Sequence, residues 1–507
     1  MSDCGGLAVA PRFTRAIHLQ RDFRDLRHRL DGYQVSPLVQ QTAGRIVAGL
    51  AAGSTERAFS VIGPFGSGKS AFGVFLAHFL QRDPAARERL LDTLHAAGSA
   101  AMLPLDAPRL LAVLVPGNNG SLRQAVLAGL EDALRRQRLR APEFDLLFGR
   151  IEAARHTPSV EPALVAELVG EAAHALKLHD LFGGLLLVVD ELGQFLDYAA
   201  HHDQERDLFV LQNLAEMASR SGDAPVLFVT ILHQAFERYS AHAGAARRIE
   251  WAKVQGRFAD VTFQEPISQM IRMVALALRP SGPASKDTYA AARAEWAERL
   301  APAADRLGLR PPDIGQAEWQ RVVADSYPIH PTVLVALPWL FRQLAQNERS
   351  LFAFLHSDEP WGLRDVVREQ PSAGELPIYR LTHLFAYVEA TMGASLFGRA
   401  RGQRWAELAE ARASLAAAEP MHLDALTVVG TIGALERSSG LRASQAQVAF
   451  ALCDRADDQA LAEVLRILQS RRAMTYRRHR DSYIVWEGSD VDIDLLVHEA
   501  RRELSKR

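Results

Sequence analysis

Residues 63–70 carry the feature that most constrains the fold: Gly-Pro-Phe-Gly-Ser-Gly-Lys-Ser, which matches G-x-x-x-x-G-K-[ST] at every fixed position. The apolar residues Phe59, Val61 and Ile62 before it indicate a buried strand, and the apolar-rich residues 71–79 after it indicate a helix. The glycines permit backbone conformations and close approaches that a β-carbon would block. The freed N–H groups then form an anion-binding nest at a helix N-terminus, which predicts binding of a nucleoside triphosphate.

This P-loop implies ATP and Mg²⁺ as cofactors. Lys69 would contact the β- and γ-phosphates, and the Ser70 hydroxyl would be a ligand of Mg²⁺. The alternative is a glycine-rich turn that only joins a strand to a helix, and the complete motif with both flanks in place disfavours it. The residues predicted to contact ATP here are Gly63, Pro64, Phe65, Gly66, Ser67, Gly68, Lys69, Ser70 and Ala71.

Length and composition set outer limits. The 507 residues leave room for about three or four domains. The formal net charge of −2 means that any affinity for nucleic acid or membrane must be local. Cys4 and Cys453 form no metal or disulfide pattern, which fits a reducing cytoplasm. The sequence starts without a signal-peptide pattern, and apolar runs such as Leu185–Val189 are too short to span a membrane, so we expect a cytoplasmic protein with no membrane partner.

Two acidic residues follow a strongly apolar segment that is expected to form a strand. A strand is expected at Leu110–Val115, and a mostly helical insert is expected at about residues 137–180. Leu185–Val189 is a continuous apolar run, typical of a parallel strand buried on both faces, and Asp190 and Glu191 follow it. Asp190 is placed to organise Mg²⁺, and Glu191 to orient or deprotonate the attacking water. Solvated turn residues are the alternative, and the upstream P-loop disfavours it.

A further buried strand, within residues 225–234, has polar residues at its end. The order of elements resembles additional-strand P-loop ATPases, in which a polar side chain here senses the γ-phosphate. That resemblance makes His233 the first candidate sensor, with Thr230 and Gln234 behind it. A histidine that is hydrogen-bonded locally at a strand end is an equal alternative.

The segment before the P-loop strand is a candidate contact for the nucleotide base. Tyr33 and Val35 follow a turn-like stretch and precede a helical pattern. Because such a segment often packs over the base, Tyr33 is included among the predicted ATP contacts. An ordinary packing role is at least as well supported.

The combination of P-loop, Asp-Glu, polar strand end and Gly-Arg-Phe before a last strand resembles the AAA+ ATPases. In that family an arginine at the Gly-Arg-Phe position reaches the nucleotide of a neighbouring subunit, and Arg257 is the matching residue here. Arg247 and Arg248 lie nearby in sequence and compete for the role. The alternatives are a surface arginine or one bound to Asp260.

From Ile267 onward the pattern is helical, which the resemblance interprets as a lid. AAA+ lids carry a Gly-Asn-x-Arg-x-Leu pattern with a sensor arginine. The stretch Gln346-Asn-Glu-Arg349 followed by Leu351 resembles it with the glycine replaced. Arg349 is therefore the candidate sensor, and Arg342 is its rival.

The C-terminal region predicts a winged helix. Helices are expected near 423–435, 442–453 and 458–472, followed by a hairpin within 474–486. AAA+ proteins of the initiator clade, which resemble origin-recognition ATPases, carry this module after the lid. A cluster of positive charge predicts phosphate contacts with DNA, and the alternative is a surface for protein contacts. The candidate DNA-binding residues are Arg471, Arg472, Arg477, Arg478 and Arg480, beside His479.

The expected fold class is therefore α/β: a P-loop parallel sheet of AAA+ type with a helical lid and a C-terminal winged-helix domain. The expected domains are a lead-in segment (1–58), the ATPase core (59–266), the lid (267–360), a helical connector (361–420) and the winged helix (421–507). The expected function is ATP hydrolysis coupled to duplex DNA, in a homo-oligomer or with partner subunits. A loose resemblance to bacterial ATPases of mobile or defence gene clusters suggests the setting. The alternative is a slow regulatory nucleotide switch whose winged helix makes protein contacts.

Overall fold

The chain forms two compact units. The sheet unit comprises Arg15–Pro266 and Ala345–Glu348, and the helical unit comprises Met1–Thr14, Ile267–Leu344 and Arg349–Arg507. The computed structural model describes residues 7–10, 13, 17–25, 30, 33–64, 66–94, 103–139, 141–157, 160–201, 206–234, 251–280, 286–344, 351–369, 378–396, 402–415 and 417–486.

The strands of the described ranges form three sheets. They are β1 (Leu7–Val9), β2 (Ala58–Ile62), β3 (Leu110–Val115), β4 (Gly184–Val189), β5 (Val226–Leu232), β6 (Ala259–Thr262), β7 (Leu278–Pro280), β8 (Met474–Arg477) and β9 (Ser482–Val485). The main sheet has five parallel strands in the order β3-β4-β5-β2-β6. Every residue of β3, β4 and β5 is buried, because helices cover both faces of a parallel sheet.

The helices of the sheet unit are α1 (Leu19–Arg24), α2 (Pro37–Ala48), α3 (Lys69–Gln81), α4 (Pro84–Thr93), α5 (Leu122–Arg136), α6 (Pro142–His156), α7 (Pro162–Leu178), α8 (Leu192–His201) and α9 (Arg206–Arg220), and residues 251–255 are also helical. Capping residues in the sequence explain where two of these helices begin. Ser36 caps α2 by accepting from the Val39 N–H, and Asp83 caps α4 in the same way, each with proline at the first helical position.

In the strand order, one strand separates the strand that leads into the P-loop from the strand that ends at Asp190. The strand β5 lies between β2, which leads into the P-loop, and β4, which ends at Asp190. At the carboxyl end of β2 the Gly63 N–H donates to the Leu232 carbonyl over 3.1 Å, and the Phe263 N–H donates to the Ile62 carbonyl over 2.7 Å. Because parallel strands end at one edge, the loops that follow β2, β4 and β5 share that edge of the sheet.

The helices of the helical unit are α10 (Ile267–Ala277), α11 (Lys286–Arg306), α12 (Gln316–Asp325), α13 (Pro331–Leu344), α14 (Leu351–His356), α15 (Leu363–Glu369), α16 (Leu381–Leu396), α17 (Gln403–Ser414), α18 (Pro420–Ser439), α19 (Gln445–Cys453) and α20 (Gln459–Ser470). The expectation of unbroken helix after Ile267 is wrong at β7, which pairs antiparallel with β1. Three residues are too few to produce a periodic signal, and the pairing joins segments about 270 residues apart in sequence.

The C-terminal module consists of α18, α19 and α20 followed by a ribbon of β8 and β9. Ser444 caps α19 and Asp458 caps α20 through their side-chain oxygens. The ribbon joins this module through the Tyr483 N–H, which donates to the Ala443 carbonyl over 2.9 Å. The predicted fold class, a P-loop parallel α/β sheet with a helical region and a C-terminal three-helix and ribbon module, is confirmed.

None of the described helices combines the length and apolar character needed to cross a membrane.

Candidate functional site

The P-loop adopts a conformation that needs its glycines. The helix α3 begins at Lys69, and Gly68 at its N-cap has φ = 86°, while Gly66 has φ = 72°. Residues with a β-carbon rarely adopt these left-handed values. Gly63 is required for a different reason, because a β-carbon there would lie 2.1 Å from the Phe263 carbonyl oxygen. The loop is thus shaped by backbone geometry and by close approach to the end of β6.

The Lys69 ammonium lies inside this loop. Its Nζ donates to the carbonyl oxygens of Gly63 and Pro64, both at 2.7 Å, and lies 3.4 Å from the Ser67 Oγ. The side chain is buried, and burial lowers the pKa of Lys69 to about 8, against the opposing attraction of the carboxylates after β4. A buried cation at the N-terminus of α3 is suited to bind an anion.

Asp190 and Ser70 bring two oxygen ligands together. Asp190 is buried, its N–H donates to the Val115 carbonyl over 2.9 Å, and its Oδ1 accepts the Glu191 N–H over 2.9 Å. Burial raises the pKa of Asp190, and a hydrogen bond with the Ser70 side chain offsets part of this increase. A carboxylate beside a hydroxyl fits Mg²⁺, which binds through one or two protein oxygens plus substrate phosphates and water. The described residues contain no group of three or more histidine, cysteine or carboxylate side chains that would bind a metal unaided.

Glu191 has an unusual backbone conformation. Its φ of 47° is left-handed, and its Oε2 accepts a hydrogen bond from the Gln194 Nε2 over 2.5 Å. Partial burial of the carboxyl group raises the pKa of Glu191, and the neighbouring Asp190 adds to the shift. A β-carbon on Gly117, in the loop after β3, would lie 2.6 Å from the Glu191 Cβ. Gly117 and Gln194 were not predicted from the sequence as parts of the site. The signal that could have indicated Gly117 is a glycine shortly after the predicted strand β3, which neighbours β4 in the sheet.

His233 follows β5 and lies near the P-loop. Partial burial lowers the pKa of His233, and repulsion from the charge of Lys69 lowers it further. The negative charge of Asp197 has the opposite, smaller effect. Thr230, a secondary candidate, is fully buried and its Oγ1 lies 3.0 Å from the Ser60 Oγ within the sheet. His233 is therefore close enough to Lys69 to feel its charge, whereas the Thr230 hydroxyl contacts β2 within the sheet.

Tyr33 packs against the P-loop helix. Its ring stacks on Phe75 with the centroids 5.5 Å apart, and its N–H donates to the Leu30 carbonyl over 2.8 Å. Burial raises the pKa of the Tyr33 hydroxyl, with a smaller contribution from Glu265. The packing role is therefore present, and contact with a nucleotide base stays a prediction.

Arg257 is bound by its own chain. Its Nε donates to the Glu216 Oε1 on α9 over 2.6 Å, and its Nη1 donates to the Lys253 carbonyl over 2.7 Å. The partner is therefore Glu216 and not Asp260, whose carboxylate accepts from the Gln255 amide over 3.3 Å. The sequence offered Asp260 as one alternative partner, whereas Glu216 lies 41 residues away.

Several predicted residues lie outside the described ranges, namely Phe65, Arg247, Arg248 and Arg349. The rival sensor Arg342 lies on α13, where its guanidinium stands over the Trp339 indole at 5.5 Å. Burial lowers the pKa of Arg342.

The candidate DNA-binding residues fall into two groups. Arg477 ends β8, and Arg478 and Arg480 lie in the 3₁₀ turn that follows; we call these three the wing arginines. Arg471 and Arg472 lie in the turn at the other end of β8, and both are exposed. The strand of four residues spans roughly 13 Å, so the two groups are separate patches on one ribbon.

Acidic side chains lie at the N-terminal end of α20, in contrast to the arginines beyond its C-terminal end. Asp458 caps the helix, and on its exposed surface Glu463 pairs with Arg466. Positive charge is therefore concentrated beyond the C-terminal end of α20 and in the ribbon turn.

No protein-family model and no curated protein matches the sequence. Among solved structures, the chain is similar to the Aeropyrum pernix ORC2 protein in its ADPNP–ADP complexes, at 12% identity over 97% of both chains, with a TM-score of 0.33. It is also similar to the ADP form of that protein, at 13% identity over 95% of this chain and 97% of the other, with a TM-score of 0.32. A third likeness is the Aeropyrum pernix ORC1 protein in complex with DNA, at 12% identity, covering 94% and 95% of the chains, with a TM-score of 0.29.

Proposed function

We propose that this chain binds ATP with Mg²⁺ and hydrolyses it to ADP and phosphate. The observation that carries the proposal is the arrangement at one edge of the sheet, where the buried Lys69 ammonium lies near the carboxylates of Asp190 and Glu191. A glycine-shaped loop at the N-terminus of α3 adds backbone donors for phosphate. A buried cation, a metal-binding oxygen pair and a second carboxylate are the groups that phosphoryl transfer to water requires.

Ser70 and Asp190 are the residues that would hold Mg²⁺, since their side chains are already hydrogen-bonded to each other. When bound, Mg²⁺ neutralises charge on the phosphates. Lys69 would bind the β- and γ-phosphates, and a phosphate oxygen would replace the loop carbonyls as its partner. Tyr33 would contact the base from the side of α3.

Glu191 would position the attacking water and accept its proton. Its raised pKa moves the carboxylate toward the range in which general bases work best, and Gln194 fixes one carboxylate oxygen. His233, held neutral by burial and by Lys69, would contact the γ-phosphate or the water.

Arg257 would act on the nucleotide of a second copy of the chain, as the AAA+ resemblance of its Gly-Arg-Phe motif implies. Its side chain is 32% exposed, which leaves it within reach of another subunit. Arg349, or its rival Arg342, would serve as the lid sensor. The active form is therefore proposed to be a homo-oligomer or a complex with partner subunits.

DNA is the proposed macromolecular partner, bound through the C-terminal module. The wing arginines with Arg471 and Arg472 provide phosphate contacts, whereas Asp458 and Glu463 disfavour phosphate near the start of α20. The proposed location is the cytoplasm. A mobile-element or defence complex is the proposed setting, from the motif resemblance.

The test is ATP turnover with and without duplex DNA, measured beside the oligomeric state in solution. The proposal expects turnover that rises with protein concentration and with DNA. A monomer that binds ATP but turns it over slowly, with no response to DNA, would instead identify the regulatory switch.

A further inference from the structure

Glu216 holds Arg257 at the surface of the sheet unit. The Arg257 Nε donates to the Glu216 Oε1 over 2.6 Å, and its Nη2 lies 2.6 Å from the same oxygen. The third nitrogen, Nη1, donates to the Lys253 carbonyl over 2.7 Å. Each side chain of the pair is 32% exposed, so another molecule can reach the guanidinium without unfolding the region.

The carboxylate that holds Arg257 is itself fixed. Glu216 lies within α9, whose opposite face buries Leu211, Leu214 and Ala215 in the core of the sheet unit. The Gln212 amide, one turn earlier, donates to the Glu216 Oε1 over 3.1 Å. The hydrogen bond from Arg257 also lowers the pKa of Glu216, so the carboxylate is ionised at neutral pH.

The guanidinium keeps N–H donors that these contacts do not use. An arginine carries five N–H groups, one on Nε and two on each of Nη1 and Nη2. The hydrogen bonds to Glu216 and Lys253 use one N–H of Nε and one N–H of Nη1, and Nη2 makes an ion-pair contact with Glu216, so Nη1 and Nη2 each keep at least one N–H. Two N–H groups on neighbouring nitrogens form the planar fork that binds phosphate oxygens.

We propose that Glu216 is a positioning residue for Arg257, which fixes the guanidinium so that its remaining fork meets the γ-phosphate of ATP bound to a second copy of this chain. This inference rests on the proposed role of Arg257. A long arginine side chain without a partner samples many rotamers, and fixing it in advance removes that cost at the transition state. Because an ion pair this exposed contributes little to stability, its effect on turnover can be measured separately from folding.

The experiment compares Glu216→Gln, Arg257→Ala and the double variant for ATP affinity, kcat and KM. Glu216→Gln keeps the side-chain shape but removes the charge that orients the arginine. We expect kcat to fall about tenfold, with ATP affinity unchanged, since misplacement by about an ångström costs up to about 10²-fold. The double variant should lose no more than Arg257→Ala alone, because both changes act through one guanidinium.

A mixing experiment distinguishes positioning from a general structural defect. Glu216→Gln mixed with Glu191→Gln should regain part of its turnover, because the second variant donates a correctly held arginine to a site that keeps Glu191. A Glu216→Gln subunit whose own nucleotide site was damaged would not be rescued in this way. The matched control is Glu318→Gln, which breaks the Arg272–Glu318 pair of the helical unit, also at 2.6 Å and similarly exposed, and should leave kcat unchanged.

The outcomes separate the two proposals. If Arg257→Ala loses turnover but Glu216→Gln matches or exceeds the wild-type rate, the positioning role is overturned and the ATPase proposal stands. Fully multiplicative losses in the double variant would also overturn it, because Glu216 would then act independently of Arg257. If Arg257→Ala retains full turnover, the role of Arg257 in catalysis is wrong, and the inference about Glu216 is overturned with it.

Discussion

The ammonium of Lys69 donates to the carbonyl oxygen of Gly63, six residues earlier, over 2.7 Å. This hydrogen bond closes the P-loop around its own lysine, and the same ammonium reaches the Pro64 carbonyl. Burial disfavours the charged ammonium and lowers the pKa of Lys69 to about 8, against the attraction of the Asp190 and Glu191 carboxylates. The lysine is therefore held where a phosphate can bind it, in an environment that does not fully compensate its charge.

Affinity for ATP should decrease as pH rises above about 8. Below that value Lys69 is protonated and can bind phosphate, whereas above it the free protein must first take up a proton, so Kd should rise by up to about tenfold per pH unit. Equilibrium binding between about pH 7.5 and 9.5 measures this. Lys69→Ala is the control: it should bind ATP weakly or not at all, with no such dependence. A wild-type Kd that stays constant across the range would show that Lys69 does not contact the nucleotide.

The sequence predicted the parts of the site that depend on local spacing. The P-loop and the Asp190-Glu191 pair each occupy a few consecutive residues beside an apolar strand, so their positions follow from the short motif and the apolar pattern next to it. The partner of Arg257 could not be predicted, because helix α9 brings Glu216 to it from 41 residues away. Gly117 was missed for the same reason, since its approach to Glu191 depends on the order of β3 and β4 in the sheet.

Arg87 stabilises the far end of the P-loop helix. Its fully buried guanidinium on α4 donates to backbone carbonyls at the end of α3 and in the segment before β3. These are the carbonyls of Phe79, Leu80, Leu105, Ala107 and Pro108. Arg87→Ala leaves buried acceptors without donors and should lower the free energy of unfolding by about 3–5 kcal/mol, measured by urea denaturation.

The control for Arg87 is Arg89→Ala, an exposed position on the same helix, which should change stability by less than about 0.5 kcal/mol. Equal effects of the two substitutions would contradict the role given to the buried guanidinium.

Acid should destabilise the helical unit through His330. This fully buried histidine lies 3.5 Å from the Asp454 Oδ1, which forms an ion pair with the Arg380 Nη2 at 2.8 Å, and burial lowers the pKa of His330 to about 4. Because the folded pKa is below the unfolded value of about 6.5, the stability is complete above pH 6.5 and is lost as pH falls toward 4. Hydrogen bonding and charge also lower the pKa of Asp454, so its contribution is lost at still lower pH.

The loss due to His330 should reach about 3 kcal/mol at pH 4, measured by urea denaturation between pH 7 and pH 4. His330→Gln should be less stable at pH 7 but should lack most of the decrease between pH 6.5 and pH 4. A variant with the wild-type pH profile would assign the acid sensitivity to other groups.

The wing arginines should determine the salt dependence of DNA binding. Replacing Arg477, Arg478 and Arg480 with alanine should weaken binding to all sequences and reduce the slope of log K against log salt by about 2 to 3, since each phosphate that is no longer neutralised lowers the slope by about 0.9. Titration of labelled duplex DNA at several salt concentrations measures the slope. Arg321→Ala, an exposed arginine on α12, is the control. A slope unchanged in the triple variant would favour a winged helix used for protein contacts.

Glu191→Gln tests the central claim, that this chain hydrolyses ATP with Glu191 as the base. The substitution keeps the side-chain shape and an oxygen that can still accept the hydrogen bond from Gln194. It removes the carboxylate that would accept the proton. The measurement is ATP affinity and turnover by the wild type, by Glu191→Gln and by the control Glu143→Gln, an exposed acid of α6. We expect unchanged ATP affinity in all three, with turnover reduced by about 10²-fold or more only in Glu191→Gln. Turnover by Glu191→Gln at the wild-type rate, with ATP bound equally well, would contradict the account.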